Sequence, residues 1–261
     1  FTAGVPDDVR ITTRYKDGAF MESLMGVIHE TGHALYEHGL PTDWRWQPVG
    51  VARGMTIHES QSLLMEMQAC RSPAFVGFAA PLMRETFSGK GPAWEIDNLL
   101  RLYHRVECAP IRVEADEVTY PAHILLRYDI ETAMVAGDLT VADLPGAWRD
   151  RMRDLLGIEV PDDKDGCMQD IHWYGGNFGY FPTYTLGALA AAQLFGAACD
   201  ADAGVMRGIG EGDFSPLLAW LRAQVHSKGS SLGTNELLAE AAGAPLGAAA
   251  FRRHIDARYL A

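Results

Sequence analysis

The sequence predicts a mainly α fold with one small β element, and three observations carry that reading. Apolar residues recur at spacings of three and four, as in Phe20, Leu24, Val27, Ile28, Thr31 and Leu35. Pro110, Pro121, Pro145 and Pro182 fall near the boundaries of such segments. The one stretch rich in β-branched residues and without helical spacing is "DVRITTRY" at 8–15.

Taken in order, "DVRITTRY" reads as a short strand of a small hairpin. A helix follows over 18–39, with Gly39 and Pro41 as stop signals. "GLPTDWRWQPVGVARG" is a loop, and a second helix runs from about Thr56 to Cys70. Further helices are expected at 94–107, 114–137, 146–156, 182–199, 214–226 and 234–259, the last as a helix-turn-helix. "EADEVTYPAHILLRYDIE" places Pro121 inside or between helices. There is no internal repeat and no low-complexity linker, so residues 1–261 are read as a single domain.

Composition narrows the partners. The 261 residues are 48% hydrophobic and 21% charged, ordinary for a soluble globular chain. A net charge of −12 and scattered Lys and Arg argue against nucleic acid or an anionic membrane surface as partner. Cys70, Cys108, Cys167 and Cys199 form no C-x-x-C pair and read as reduced thiols. The apolar stretch Thr185 to Ala198 is too short and too rich in Ala and Gly to span a membrane. With no signal peptide visible, a cytoplasmic setting is the default expectation. The chain starts at Phe1 with its first motif almost at once, which is read as a piece of something longer.

The chemistry is announced by "IHETGHALYE" at 28–37. Residues four apart project from one side of a helix, so His29 and His33 can present imidazole nitrogens to one ion. Glu30 stands about a hundred degrees further round, as 3.6 residues per turn requires, within reach of a water on that ion. This is the H-E-x-x-H arrangement of zinc hydrolases, which makes the fold class an HExxH zincin-type helical fold. Three fixed residues arise by chance in about one chain in a hundred of this length, so the competing reading is a helix with two unremarkable histidines. A metzincin continuation would need Gly at 36 and His at 39, where this chain has Tyr36 and Gly39. A glutamate on the second helix is the alternative third ligand. Glu59 is favoured by its polar neighbours His58, Ser60 and Gln61, which could hold it; Glu66, two turns along, competes and reads as a packing carboxylate. One divalent ion is expected, Zn²⁺ first, with Co²⁺ or Mn²⁺ compatible with the same donors.

Several ordered motifs together resemble one family. "HETGHALYEHG" is followed by "HESQS", placing Glu59 26 residues after His33. "DVRIT" (8–12) is similar to D-x-R-x-T, "IRVEAD" (111–116) to I-R-x-x-A-D, and "GCMQDIHW" (166–173) to G-x-x-Q-D-x-H-W, with "FGYFPTYTLG" (178–187) also alike. The chain is thereby similar to the M32 metallocarboxypeptidases of the carboxypeptidase Taq type, and resembles their C-terminal, catalytic portion. Phe1 is read as what remains of the family's H-P-F motif, and the sequence as given is expected to correspond to the part that follows the family's N-terminal helical portion. The resemblance implies a carboxypeptidase of broad specificity, an α-helical fold whose small β hairpin lies near a long groove, and a homodimer. Its partners would be peptides with a free C-terminal carboxylate.

On chemistry and motif together, Arg112 is the candidate fork for that carboxylate, because guanidinium binds carboxylate bidentately. Its competing role is an internal ion pair with Glu114, Asp116 or Glu117. Arg10 and Arg127 are weaker candidates, Arg10 also for shaping the closed end of the groove. His172 and Tyr184 are candidate donors to the oxyanion, and Tyr180 could do the same or touch the substrate carboxylate. Asp116 and Asp170 are candidates for orienting a metal-bound imidazole, against capping or a buried ion pair. "YGGNFGYF" lacks a P-loop Lys, and its glycines are expected to make a tight turn. Against the enzyme stand two readings: a metal-binding, dimer-forming fragment with an incomplete groove, and an endo- or aminopeptidase on the same site.

Overall fold

The computed structural model describes residues 2–5, 8–15 and 18–260, and Phe1 with its H-P-F reading lies outside them. Among the described residues the chain is mainly helical, with one antiparallel hairpin. Strands β1 (Thr2–Val5) and β2 (Asp8–Ile11) pair with Thr2 opposite Ile11 and Val5 opposite Asp8. The strand expected over 8–15 is thus real but shorter.

Helix α1 (Phe20–Gly39) closely follows the expected 18–39. α2 (Met55–Leu63) continues directly into a π-helical segment, Leu64–Ala69, together filling the expected second helix. α3 (Pro73–Thr86) was not anticipated, since Pro73, Gly77 and Pro81 obscure its period. Its start obeys local rules all the same: Ser72 Oγ accepts from Phe75 N at 3.2 Å, and Pro73 fills the first turn. Burial of Phe75, Val76, Ala79, Ala80 and Met83 then outweighs the interior Pro81.

α4 (Ile96–Tyr103) is shorter than expected, and α5 (Tyr120–Ala136) begins later because Arg112–Glu114 forms only a 3₁₀ turn. Pro121 lies in the first turn of α5, where it removes no helical hydrogen bond. α6 (Leu144–Leu156) and α7 (Pro182–Ala201) stand where the spacing put them. α8 (Gly204–Glu211), rich in Gly, was missed; α9 (Ser215–Gln224), α10 (Thr234–Ala242) and α11 (Ala249–Ile255) complete the order. No helix among the described residues is long and apolar enough to cross a membrane.

The chain divides into two compact units, Phe1–His104 with Leu186–Ala261, and Arg105–Thr185. In the first, Met25, Tyr36, Ile57, Leu64, Val76, Ala190 and Leu194 belong to one buried cluster. The second has its own core of Leu126, Ile130, Trp148, Met152, Leu156, Val160 and Cys167. Two glycines let helices of the first unit close on each other. A Cβ on Gly32 of α1 would stand 2.6 Å from Ser62 Cα, and one on Gly187 of α7 would stand 2.8 Å from Glu59 Cβ. The first approach brings α1 against α2, and the second brings α7 against Glu59 of α2.

Candidate metal centre

On α1, the four-residue spacing sets His29 and His33 edge to face, with ring centroids 5.0 Å apart. The neighbouring α2 offers Glu59. Its Oε1 lies 3.8 Å from His29 Nε2 and its Oε2 3.5 Å from His33 Nε2. One ligand atom from each of the three residues lies within 4.8 Å of the others, the only such group among the described residues. His33 and Glu59 are buried, 8% and 6% exposed.

The donor set suits a divalent cation. Two imidazoles and a carboxylate facing one point match a His₂Glu zinc site, which keeps a further position open. The field agrees. Burial pulls the His29 imidazolium down, but Glu66, Glu59 and Glu30 outweigh it and raise His29 to about 9. Carboxylates that would hold a proton there equally favour a metal cation.

Glu66 does not join this group. Its Oε2 stands 3.0 Å from His29 Nδ1, the outer nitrogen, while Arg71 Nη2 donates to its Oε1 at 2.8 Å. The helix explains this: from Leu64 the winding is π, each turn takes an extra residue, and Glu66 falls out of line with Glu59. The outer nitrogen of His33 is held by His58, whose Nδ1 lies 2.6 Å away.

The expected support of Glu59 by His58, Ser60 and Gln61 is therefore corrected. His58 serves His33, Ser60 Oγ donates to Ile57 O, and Gln61 Oε1 meets His226 Nε2. The orienting role offered to Asp116 and Asp170 falls to Glu66 and His58 instead. Asp116 accepts from the backbone of Glu107, Val118 and Thr119, so capping is its place. Glu37 and Arg71 went unremarked in the sequence; the signal for Glu37 was the continuation of the His29–His33 stripe by four residues.

Glu30 lies beside the cluster. Thr2 Oγ1 donates to its Oε2 at 2.8 Å and to its backbone carbonyl at 3.0 Å, so strand β1 steadies the carboxylate. Burial raises its pKa, but the Thr2 hydrogen bond and His29 outweigh that, leaving it below the usual range. Arg10 on β2 is exposed and pairs with Asp8, Nε to Oδ1 at 2.9 Å.

The second unit gathers the other motif residues. Asp170 is shared by two buried guanidiniums. Arg112 Nη2 and Nε donate to its Oδ1 at 2.7 and 3.0 Å, and Arg127 Nε to its Oδ2 at 2.7 Å. Burial raises the Asp170 carboxyl, yet the two cations hold it below the usual range. Arg112 also donates to Tyr120 Oη at 2.8 Å and sits 4.7 Å from the centre of the Tyr184 ring. Its internal partner is thus Asp170, not Glu114, Asp116 or Glu117. Tyr184 Oη lies 2.9 Å from His172 Nε2, and Tyr180 packs on both, 5.3 Å from His172 and 5.5 Å from Tyr184 by ring centroids. Burial, then the charge of Arg112, keep the His172 pKa below its ordinary value. The glycine turn forms as expected, with Gly176 and Gly179 at φ 76° and 75°. Glu131 secures it by accepting from Trp173 Nε1 at 2.6 Å and from Gly179 N.

Residues 1–259 match the family described as Carboxypeptidase Taq (M32) metallopeptidase. The chain is 44% identical over 257 residues to Thermostable carboxypeptidase 1 of Thermus thermophilus, covering 98% of this chain and 50% of that one. It is 37% identical over 239 residues to Carboxypeptidase 1 of Bacillus subtilis, covering 92% and 48%. Among solved structures it superposes on Trypanosoma cruzi metallocarboxypeptidase 1 with TM-score 0.95 at 44% identity, covering all of this chain and 55% of that one. The M32 carboxypeptidase of Deinococcus radiodurans gives TM-score 0.95 at 36% identity, covering 99% and 52%. The chain spans about half the length of the curated relatives it matches.

Proposed function

This chain belongs to the carboxypeptidase Taq (M32) metallopeptidase family, and from that premise we propose that it supplies the metal centre of a carboxypeptidase that hydrolyses the C-terminal peptide bond of peptides with broad specificity. The convergence of His29, His33 and Glu59 within 4.8 Å, with Glu30 beside them, carries the reading. His29 and His33 would hold the ion through Nε2, and Glu59 through its carboxylate. A divalent ion there, which we assign as Zn²⁺ with Co²⁺ or Mn²⁺ compatible, supplies Lewis acidity that acidifies water to a pKa of about 7 and polarises a carbonyl.

The chain's own residues handle the proton. Glu30, with its Oε2 steadied by Thr2 Oγ1, takes a proton from the attacking water and passes it to the leaving amine. His29 and His33 keep their outer nitrogens on Glu66 and His58, which holds the rings in place. Following the motifs, we assign His172 and Tyr184 to the developing oxyanion, Tyr180 to the same task or to the substrate carboxylate, Arg112 to that carboxylate, and Arg10 to the limit beyond it. Residues 1–261 act as one catalytic domain in this reading, within a cytoplasmic homodimer.

The test is release of the C-terminal residue from an N-blocked dipeptide. Glu30→Gln is expected to abolish it; unchanged turnover in that variant sinks the mechanism. A C-amidated and an N-blocked version of one peptide separate the modes: a carboxypeptidase cleaves only the second. The half-length coverage of the relatives favours one other reading, a metal-binding fragment that does not cleave. Equimolar zinc with no turnover would select it.

A further inference from the structure

The outer nitrogen of His33 meets a second imidazole instead of a carboxylate. His58 Nδ1 lies 2.6 Å from His33 Nδ1, and His58 Nε2 lies 2.8 Å from Glu37 Oε1. Glu37 is four residues beyond His33 on α1, so α1 provides both ends of this chain and α2 its middle.

Two ring nitrogens at hydrogen-bond distance share one proton: one donates and the other accepts. A His33 that offers its Nε2 lone pair to an ion, as a neutral ring, carries its proton on Nδ1. His58 Nδ1 must then accept. A neutral His58 carries its own proton on Nε2, and that N–H donates to the Glu37 carboxylate. The carboxylate has no proton to give, which sets the direction of the whole sequence. The reverse arrangement would put the His33 proton on Nε2 and block the ion.

We propose that His58 and Glu37 are positioning residues that lock His33 in its ion-binding tautomer, an inference that rests on reading His29, His33 and Glu59 as a metal site. The two metal histidines are then held differently. His29 touches the charged Glu66 directly, while His33 feels Glu37 only through an intervening ring. The plainer role for the His58–Glu37 pair is a staple between α1 and α2. A staple contributes to folding but leaves the affinity of the folded protein for metal alone.

The experiment measures Zn²⁺ affinity by competition with a chromophoric chelator, and thermal unfolding of the metal-free form, for the full chain and three variants. His58→Phe keeps the ring volume and removes both polar atoms; its Zn²⁺ affinity is expected to fall on the order of 10–100-fold. His58→Gln keeps an acceptor for His33 and a donor for Glu37, and is expected to restore most of that loss. Glu37→Gln allows the side chain to donate as well as accept, so the tautomer is no longer dictated, and affinity is expected to fall by about tenfold. Lower stability of His58→Phe with unchanged Zn²⁺ affinity overturns the proposal in favour of the staple. If His58→Phe does not fold, unchanged affinity in folded Glu37→Gln does the same. Failure of the unsubstituted chain to bind Zn²⁺ would overturn the metal site itself, and is seen separately from either result.

Discussion

Gly187 of α7 lies flat against Glu59 of α2: a Cβ at position 187 would stand 2.8 Å from both Cβ and Cγ of that side chain. The acidic member of the His29–His33–Glu59 cluster is therefore placed by a helix more than a hundred residues further along the sequence. Gly187→Ala is expected to push Glu59 off its position. Overpacking of this kind costs about 1–3 kcal/mol. Zn²⁺ affinity should drop together with the urea midpoint; a variant with lower stability and native affinity would show that Glu59 is not needed for the ion.

Glu66 and Glu59 are separable by the same measurement. If Glu59 is the third ligand, Glu59→Gln is expected to lose Zn²⁺ affinity most severely, because the anionic donor is removed. Glu66→Gln still accepts from His29 Nδ1 but lacks the charge, and its affinity is expected to fall on the order of 10-fold. An inverted order would make Glu66 the ligand.

Two buried histidines give the metal-free protein an acid-sensitive stability. His226, in contact with Gln61, is lowered to about 3 by burial and then by Arg222. His123 in the second unit is lowered to about 4, by burial first and then by Arg127 and Arg112. In the unfolded chain each titrates near its ordinary value of about 6.5. Between that value and the folded one, the unfolded state binds a proton that the folded state refuses. The contribution of these two groups is therefore full above about pH 6.5 and falls as pH drops towards 4, by up to about 1.4 kcal/mol per pH unit for each group. Urea midpoints at pH 7, 6 and 5 should show this slope, and His226→Asn should flatten it. Equal slopes in the variant would assign the acid sensitivity elsewhere.

Asp170 is the only carboxylate that the two buried arginines of the second unit both touch among the described residues. Arg127 is 0% exposed and Arg112 5% exposed. Burial lowers Arg127 to about 10, still charged at neutral pH. Asp170→Asn leaves two buried cations without their counter-charge, and a loss of about 3–5 kcal/mol is expected. Denaturant unfolding checks it; a loss below about 1 kcal/mol would mean that water replaces the carboxylate.

Arg112 can be tested for its two roles at once. Its Nε, Nη1 and Nη2 are all engaged with Asp170 and Tyr120. Arg112→Lys keeps the charge and loses the fork. If Arg112 grips the substrate carboxylate, KM should rise at least about tenfold with kcat less affected, since uniform binding is lost. A drop in melting temperature with unchanged KM would leave it as the support of Asp170 and Tyr184.

Much of the centre was legible in the residues because its rules are local. The four-residue period puts His29 and His33 on one face whatever surrounds them, and the run of apolar spacings placed α1, α6 and α7 within a few residues. α3 and α8 were not legible, because proline and glycine mask a helix whose stability comes from buried neighbours.

Residue order alone supplied the H-E-x-x-H helix, a carboxylate on the helix after it, and motifs similar to a peptidase family. Which groups hold the outer nitrogens of His29 and His33 is a matter of tertiary structure. Glu66 and His58 reach their histidines across 37 and 25 residues, distances over which no local period applies. The π winding that turns Glu66 out of line with Glu59 is settled in the same manner. Its carbonyls at Met67 and Gln68 are taken by Arg258, at 2.6 and 3.3 Å, from the far end of the chain. The carbonyls that a widened turn leaves without a helical partner need a donor from another part of the protein, and that part is chosen by the fold.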